Sequence, residues 1–212
     1  MHQAIILNAS PRKKWNTAQM LCAAEKGARA AGAQTAYYDL YDLNFTGCRS
    51  CMACKKTGAQ PCKCYWQDEL TLILDKIFQD AETLIIGSPI YLGEVSSRLR
   101  AVMERMAFVT LSYNDYACLY KGRLNVGVVL TMNAPEAYYK KHYQTNIARQ
   151  LDMFRIFNGK LECCFAFDTM QVSDYSRYEL KSWNENHKKQ VHEEVFLLEL
   201  QRAFEMGRLL CS

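Results

Sequence analysis

The sequence predicts an α/β fold, a doubly wound five-stranded parallel sheet in the order 2-1-3-4-5 with helices on both faces. Three observations predict it. Short continuous apolar runs such as Ala4-Ile5-Ile6-Leu7 recur along the chain, and their length suits strands buried on both faces. Between them lie segments with apolar residues at helical spacing, such as Leu70, Ile73, Leu74, Ile77 and Phe78. The two kinds alternate, so right-handed crossovers leave few topologies. In this order the ligand crevice lies at the carboxyl ends of strands one and three.

The first strand is 4–7, and the first helix runs over 17–31 until Gly32 supplies a left-handed stop. A second strand spans 35–40. Residues 44–67 form an irregular cysteine-rich loop inserted after it. Helix 68–80 follows, with Asp68 and Glu69 at the positive end of its dipole. The third strand is 83–87, ended by Ser88-Pro89, and a helix covers 96–108. An aromatic loop, 110–121, precedes the fourth strand at 125–131. A helix over 135–158, closed by Gly159, leads to the fifth strand at 161–167. One long helix, 184–210, ends the chain.

The chain has 212 residues, half of them apolar, with no linker, repeat or low-complexity block, so a single domain over 1–212 is expected. No apolar run approaches a membrane span and no cleavable signal pattern opens the chain, so a cytoplasmic protein without membrane contact is expected. A net charge of +4 spread along the sequence is a mild bias toward anionic ligands, far from a nucleic-acid footprint. Ten cysteines in a chain of this size read as reduced thiols, some of them candidate metal ligands.

The first strand stops at Asn8-Ala9-Ser10-Pro11-Arg12, and Asn16-Thr17-Ala18 opens the first helix. Strand, polar loop and helix N-terminus together suit a phosphate, because orphan N–H groups and the macrodipole face the loop. The loop is neither a P-loop nor a G-x-G-x-x-G turn. By itself it equally suits an ordinary turn with Thr17 as N-cap. After strand three, Pro89-Ile90-Tyr91-Leu92-Gly93 offers a fixed exit, a flat aromatic face and a glycine for close approach. A weaker third candidate is Asn133, after strand four.

These motifs, with Ser96-Ser97-Arg98-Leu99-Arg100, resemble the NADPH-dependent FMN reductase family, whose fold is flavodoxin-like. The resemblance runs from residue 3 to about residue 131. It implies noncovalent FMN, with the phosphate at Ser10, Arg12, Asn16 and Thr17, and Pro11 and Ala18 beside them as further candidate cofactor-binding residues. The ring would lie along Pro89, Ile90, Tyr91, Leu92 and Gly93, near Asn133. It also implies NAD(P)H as donor, a small-molecule electron acceptor, chemistry at the flavin N5 without a catalytic side chain, and a homodimer or homotetramer. Ala9 and Trp15 depart from the family pattern, where glycine and a small residue are usual.

Cys48-x2-Cys51-x2-Cys54-x7-Cys62 is the most distinctive local pattern and can wrap thiolates around a [4Fe–4S] cluster, with Cys64 as the substitute fourth ligand. It resembles the compact motif of iron–sulfur flavoproteins, which accept electrons from ferredoxin. Zinc can use the same thiolates, and cluster-free relatives carry similar cysteines. Cys22, Cys118, Cys163, Cys164 and Cys211 read as core or terminal residues. His2, His142, His187 and His192 read as surface residues, and Lys140-Lys141 and Lys188-Lys189 as solvated charges. Tyr113, Tyr116 and Tyr120 read as packing residues, with a flavin lid or a subunit contact as the other choices.

The expected function is an FMN-dependent oxidoreductase that passes electrons from NAD(P)H to a quinone, flavin, azo or nitro compound. Two alternatives stand beside it: an electron carrier with FMN and a [4Fe–4S] cluster, reduced by ferredoxin, and a binding or regulatory module without turnover.

Overall fold

The computed structural model describes residues 2–212. Five parallel strands form the sheet: β1 (Gln3–Asn8), β2 (Gln34–Asp39), β3 (Thr83–Tyr91), β5 (Leu124–Thr131) and β6 (Asn158–Ala166). Their order is β2-β1-β3-β5-β6, and a two-residue strand β4 (Glu94–Val95) folds back antiparallel on the tip of β3. With β4 set aside this is the expected 2-1-3-4-5 order.

Alternation along each strand feeds two cores. Ile5, Leu7, Leu84, Ile86, Val126 and Val128 face helices α2 (Glu69–Gln79) and α3 (Ser97–Thr110). Ala4, Ile6, Ile85 and Val129 face α1 (Asn16–Ala30) and α7 (Phe196–Cys211). α1 ends in a Schellman motif at Gly32, where φ is +88° and the N–H groups of Gly32 and Ala33 reach Arg29 and Ala28 carbonyls. α1 and α7 pack backbone to backbone. A Cβ on Gly27 would lie 1.9 Å from the Phe204 carbonyl oxygen, and one on Gly207 equally close to that of Ala24.

Four expectations are corrected. Ser88-Pro89 does not end β3, which runs on to Tyr91. Gly87 directs its carbonyl to Ala9 on the β1 side, so Pro89, two residues on, faces the side where β1 has already ended. The missing N–H therefore costs no ladder bond. The expected 135–158 helix is α4 (Glu136–His142), α5 (Gln144–Leu151) and a 3-10 segment (Asp152–Phe157). Its chain reverses at Asn158 in the left-handed region (φ 60°); Gly159 is needed instead because a Cβ there would meet the Leu124 carbonyl oxygen at 2.1 Å. The last helix bends at Val195 into α6 (Glu185–Glu194) and α7. α6 is anchored by Lys188, whereas α7 follows α1.

That Lys188 is the fourth correction. It is 1% exposed, and its Nζ donates to the Asn133 carbonyl and to Asp168, over the Trp183 ring. Its burial is compensated by a counter-charge, the usual condition for an interior lysine. Among the described residues no helix is long and apolar enough to cross a membrane.

Candidate functional site

A cleft opens at the carboxyl ends of β1, β3 and β5. Its volume is about 70 Å³, and it is lined by Ser10, Arg12, Asn16 and Thr17 on one side and by Pro89, Ile90 and Tyr91 on the other. Asn133 closes the third side. The sequence-predicted residues therefore converge, with four exceptions. Pro11 is exposed beside the loop, Ala18 is buried behind it, and Leu92 and Gly93 form the turn of the β3–β4 hairpin outside the cleft. Both turn residues have positive φ (52° and 81°), the pattern of a type I′ hairpin. Gly93 backs onto the ring of Tyr143, the residue between α4 and α5, so its glycine serves packing there.

The anchor loop is built from short polar side chains. Asn8, fully buried, donates to Asp39 at 2.7 Å and accepts from the Ser10 N–H at 3.0 Å. Ser10 Oγ in turn accepts from the Arg12 N–H at 3.2 Å. Trp15, not Thr17, is the N-cap of α1 and has no side-chain capping bond. Thr17 lies in the first turn, sharing a 2.8 Å hydrogen bond with Thr131 of β5. Among the described residues the N–H groups of Asn16, Thr17 and Ala18 find no protein acceptor. They are the orphan donors of a helix start, pointing where the macrodipole favours an anion. Ala9 keeps an ordinary negative φ while fully buried, so glycine is not required there.

Ser96 ties the anchor loop to the ring loop. Its Oγ donates to the Ala9 carbonyl at 2.7 Å, its N–H reaches Ser88 Oγ at 2.9 Å, and it caps α3. Tyr91 is half exposed; burial raises its phenol pKa, against the lowering effect of Arg12.

A strap after β6 was absent from the sequence reading. Thr169, Met170 and Gln171 line the cleft, and the Met170 carbonyl accepts from Trp15 Nε1 at 3.0 Å and Asn16 Nδ2 at 2.8 Å. Arg12 donates to the Gln171 carbonyl and stands 5.0 Å from the Trp15 ring. Lys188 and His187 both pair with Asp168 at the strap's base. Burial acts to raise the Asp168 pKa, but hydrogen bonds from Lys188 and His187 hold it below the usual carboxylate range. The one available signal was topological: the loop after any parallel strand ends at the same sheet edge. Thr131, the last residue of β5, and Met132 after it also line the cleft beside Asn133.

The cysteine loop forms a second region. Cys48, Cys51, Cys54 and Cys64 line one small cavity of about 20 Å³ with Arg105, Arg49 and Trp66, whereas Cys62 does not line it. The loop is bolted to α3 by two cations. Arg105, 2% exposed, pairs with Asp68 at 2.8 Å and also donates to Thr46 and Thr71. Lys55 donates to the Phe108 and Leu111 carbonyls at the end of α3, where the dipole favours a cation. Asp68 is the N-cap of α2, accepting from the Thr71 N–H. Burial works against the charge of Asp68, and Arg105 overcomes it, so its pKa is lowered. Burial raises the thiol pKa of Cys54, and pushes that of Cys62 up to about 11.

Among the described residues no three His, Cys, Asp or Glu side chains converge on one point as a single metal ion demands. The four thiols line the same small cavity without converging on a point. Of the remaining cysteines only Cys211 is buried; Cys22 and Cys163 are exposed, which corrects the core reading. Tyr120 packs against Phe78 and Phe157, while Tyr113 and Tyr116 are exposed and away from the cleft.

A helix start with free N–H groups and a hairpin carrying Tyr91, side by side at the switch point of a parallel sheet, define a flavodoxin-like fold. The chain belongs to the NADPH-dependent FMN reductase family, which matches residues 3–136. It is 33% identical over 103 residues to an iron–sulfur flavoprotein of Methanocaldococcus jannaschii, covering 49% of this chain and 51% of that one. An iron–sulfur flavoprotein of Archaeoglobus fulgidus is 28% identical over 101 residues, 48% of this chain and 47% of that one. The chain thus spans about half the length of these curated relatives. Among solved structures, an NAD(P)H:quinone oxidoreductase from Methanothermobacter marburgensis superposes with a TM-score of 0.69 at 17% identity, over 99% of this chain and 98% of the other. An FMN-dependent NADH-azoreductase from Bacillus anthracis, solved with FMN, gives 0.66 at 15% identity over the whole of both chains.

Proposed function

We propose that this chain is an FMN-dependent oxidoreductase that carries electrons from NAD(P)H to a small acceptor of the quinone, flavin, azo or nitro class. The observation that carries the reading is the pair of unpartnered N–H groups of Asn16 and Thr17, beside Ser10 and Thr17 hydroxyls, in the same cleft as Tyr91. When bound, FMN supplies the redox chemistry, taking hydride from the nicotinamide and releasing electrons to the acceptor. The protein's part is placement. Ser10, Asn16, Thr17 and the α1 start bind the phosphate, and Arg12 adds positive charge. Pro89, Ile90 and Tyr91 give the ring an apolar bed, and Asn133 a polar edge. Trp15 and the Met170 strap cover the anchor and keep water from it.

Titration of the flavin-free protein with FMN, followed by NADH and NADPH oxidation with a quinone and an azo dye, tests this reading. Tight binding with turnover is expected; failure to bind FMN would overturn it.

A second reading, an electron-carrying iron–sulfur flavoprotein reduced by a ferredoxin-type donor, is favoured by one observation: four thiols around a single cavity. Iron and acid-labile sulfide measured on anaerobically purified protein decide it. Self-association as a dimer or tetramer would cover Leu92, 94% exposed at the hairpin tip beside the cleft. Light scattering at micromolar concentration reads the mass directly.

A further inference from the structure

The spacing of the cysteine motif points to Cys62 as the fourth ligand of the loop's thiolate set. The structure points elsewhere. Cys48, Cys51, Cys54 and Cys64 face one cavity, and Cys64 forms its inner wall at 8% exposure. Cys62 has left-handed backbone (φ 59°) and does not line this cavity; its charged and thiol neighbours are Cys118, Lys55 and Lys121. Two residues apart in an irregular segment, the two side chains are directed to different surroundings.

The cavity wall adds an independent sign of a ligand. Arg105 is 2% exposed and lines this cavity, and its Nε has no hydrogen-bond partner although its other nitrogens are held by Asp68, Thr46 and Thr71. An orphaned, buried guanidinium N–H is costly unless an acceptor completes it. Cys64 lies beside this guanidinium. A thiolate at Cys64, or a sulfide bound next to it, is the acceptor that the Nε–H lacks, and both carry negative charge that the guanidinium offsets.

We propose that the loop holds its cluster through Cys48, Cys51, Cys54 and Cys64, with Cys62 outside the ligand set and Arg105 donating to the sulfur at Cys64. The inference rests on the iron–sulfur reading above and goes beyond it by naming the fourth ligand. The spacing then becomes C-x2-C-x2-C-x9-C. The two extra residues let the chain pass Cys62 and return to the α3 side of the loop, where Arg105 waits.

The test is anaerobic reconstitution of the full chain with ferrous iron and sulfide. Iron, sulfide and the visible spectrum are read for the wild type, Cys62→Ser, Cys64→Ser and Cys64→Ala, and FMN binding reports folding. Wild type and Cys62→Ser should each hold about four irons per chain, with matching spectra. Both Cys64 variants should bind FMN and lose the iron. A Cys62→Ser protein that binds FMN but holds no cluster overturns the proposal, as does a Cys64 variant that loads like wild type. Should both Cys64 variants fail to fold, Cys62→Ser still decides, because full loading without that thiol removes it from the set. A wild type that holds no iron overturns the iron–sulfur reading itself, an outcome distinct from a misassigned ligand.

Discussion

The anchor loop and the cysteine loop solve opposite problems. The anchor loop is short, follows a buried strand, and is shaped by neutral side chains such as Asn8 and Ser10 that satisfy its turns. It leaves N–H groups free. The cysteine loop runs over residues 44–67 with little regular structure and depends on charge, with Arg105 and Lys55 satisfying carbonyls and carboxylate at the α3 surface. One region is preorganised by the sheet; the other is held by ion pairs. The difference teaches that mutations should separate the two regions: cofactor affinity on one side, stability on the other.

The largest effect should come from Arg105→Leu. It leaves Asp68 buried without its partner, and removal of one member of such a pair costs about 3–5 kcal/mol. Urea unfolding should show a lower midpoint, while the FMN affinity of the folded fraction stays within a few-fold of wild type. Equal loss of affinity would break the separation. Acid should act through the same pair. Asp68 has a folded-state pKa below its unfolded value, so its stabilisation is present above the ordinary carboxylate pKa of about 3.9 and disappears as pH falls through the lowered one. Unfolding midpoints measured down to pH 3 should drop more steeply in wild type than in Asp68→Asn.

Gly27→Ala comes next, because its Cβ would meet backbone rather than a yielding side chain. We expect a loss of about 1–3 kcal/mol in thermal or urea unfolding. Smaller in energy but specific to the anchor loop, Asn16→Ala should weaken FMN binding roughly tenfold, about 1.4 kcal/mol, with little change in unfolding. The smallest effect is expected at Leu92, an exposed residue at φ 52°. Leu92→Gly should stabilise by up to about 1 kcal/mol, visible as a slightly higher melting temperature.

The sheet order was legible because β1, β3 and β5 are uninterrupted apolar runs, and the cleft followed from the order. Chain breaks were less legible. Pro89 looks like a terminator in one dimension, and only the early end of β1 explains its place inside β3. Lys188 reads as one of two adjacent surface cations, yet Asp168, twenty residues earlier, draws it inside. The strap at Met170 contributes backbone carbonyls, which any residue can supply, so its side chains carry no signal. Cys62 and Cys64 are chemically identical in the sequence, and only the fold gives them different neighbours.

Ser96 fixes one further quantity. By gripping the Ala9 carbonyl with its hydroxyl and Ser88 with its amide, it sets the gap between the helix start and the Tyr91 hairpin. Under the proposed function that gap acts as a gauge on ligand length. A molecule whose anionic end seats at Asn16 to Ala18 must place its flat end one fixed span away, so selection among flavins can operate on reach as well as on shape.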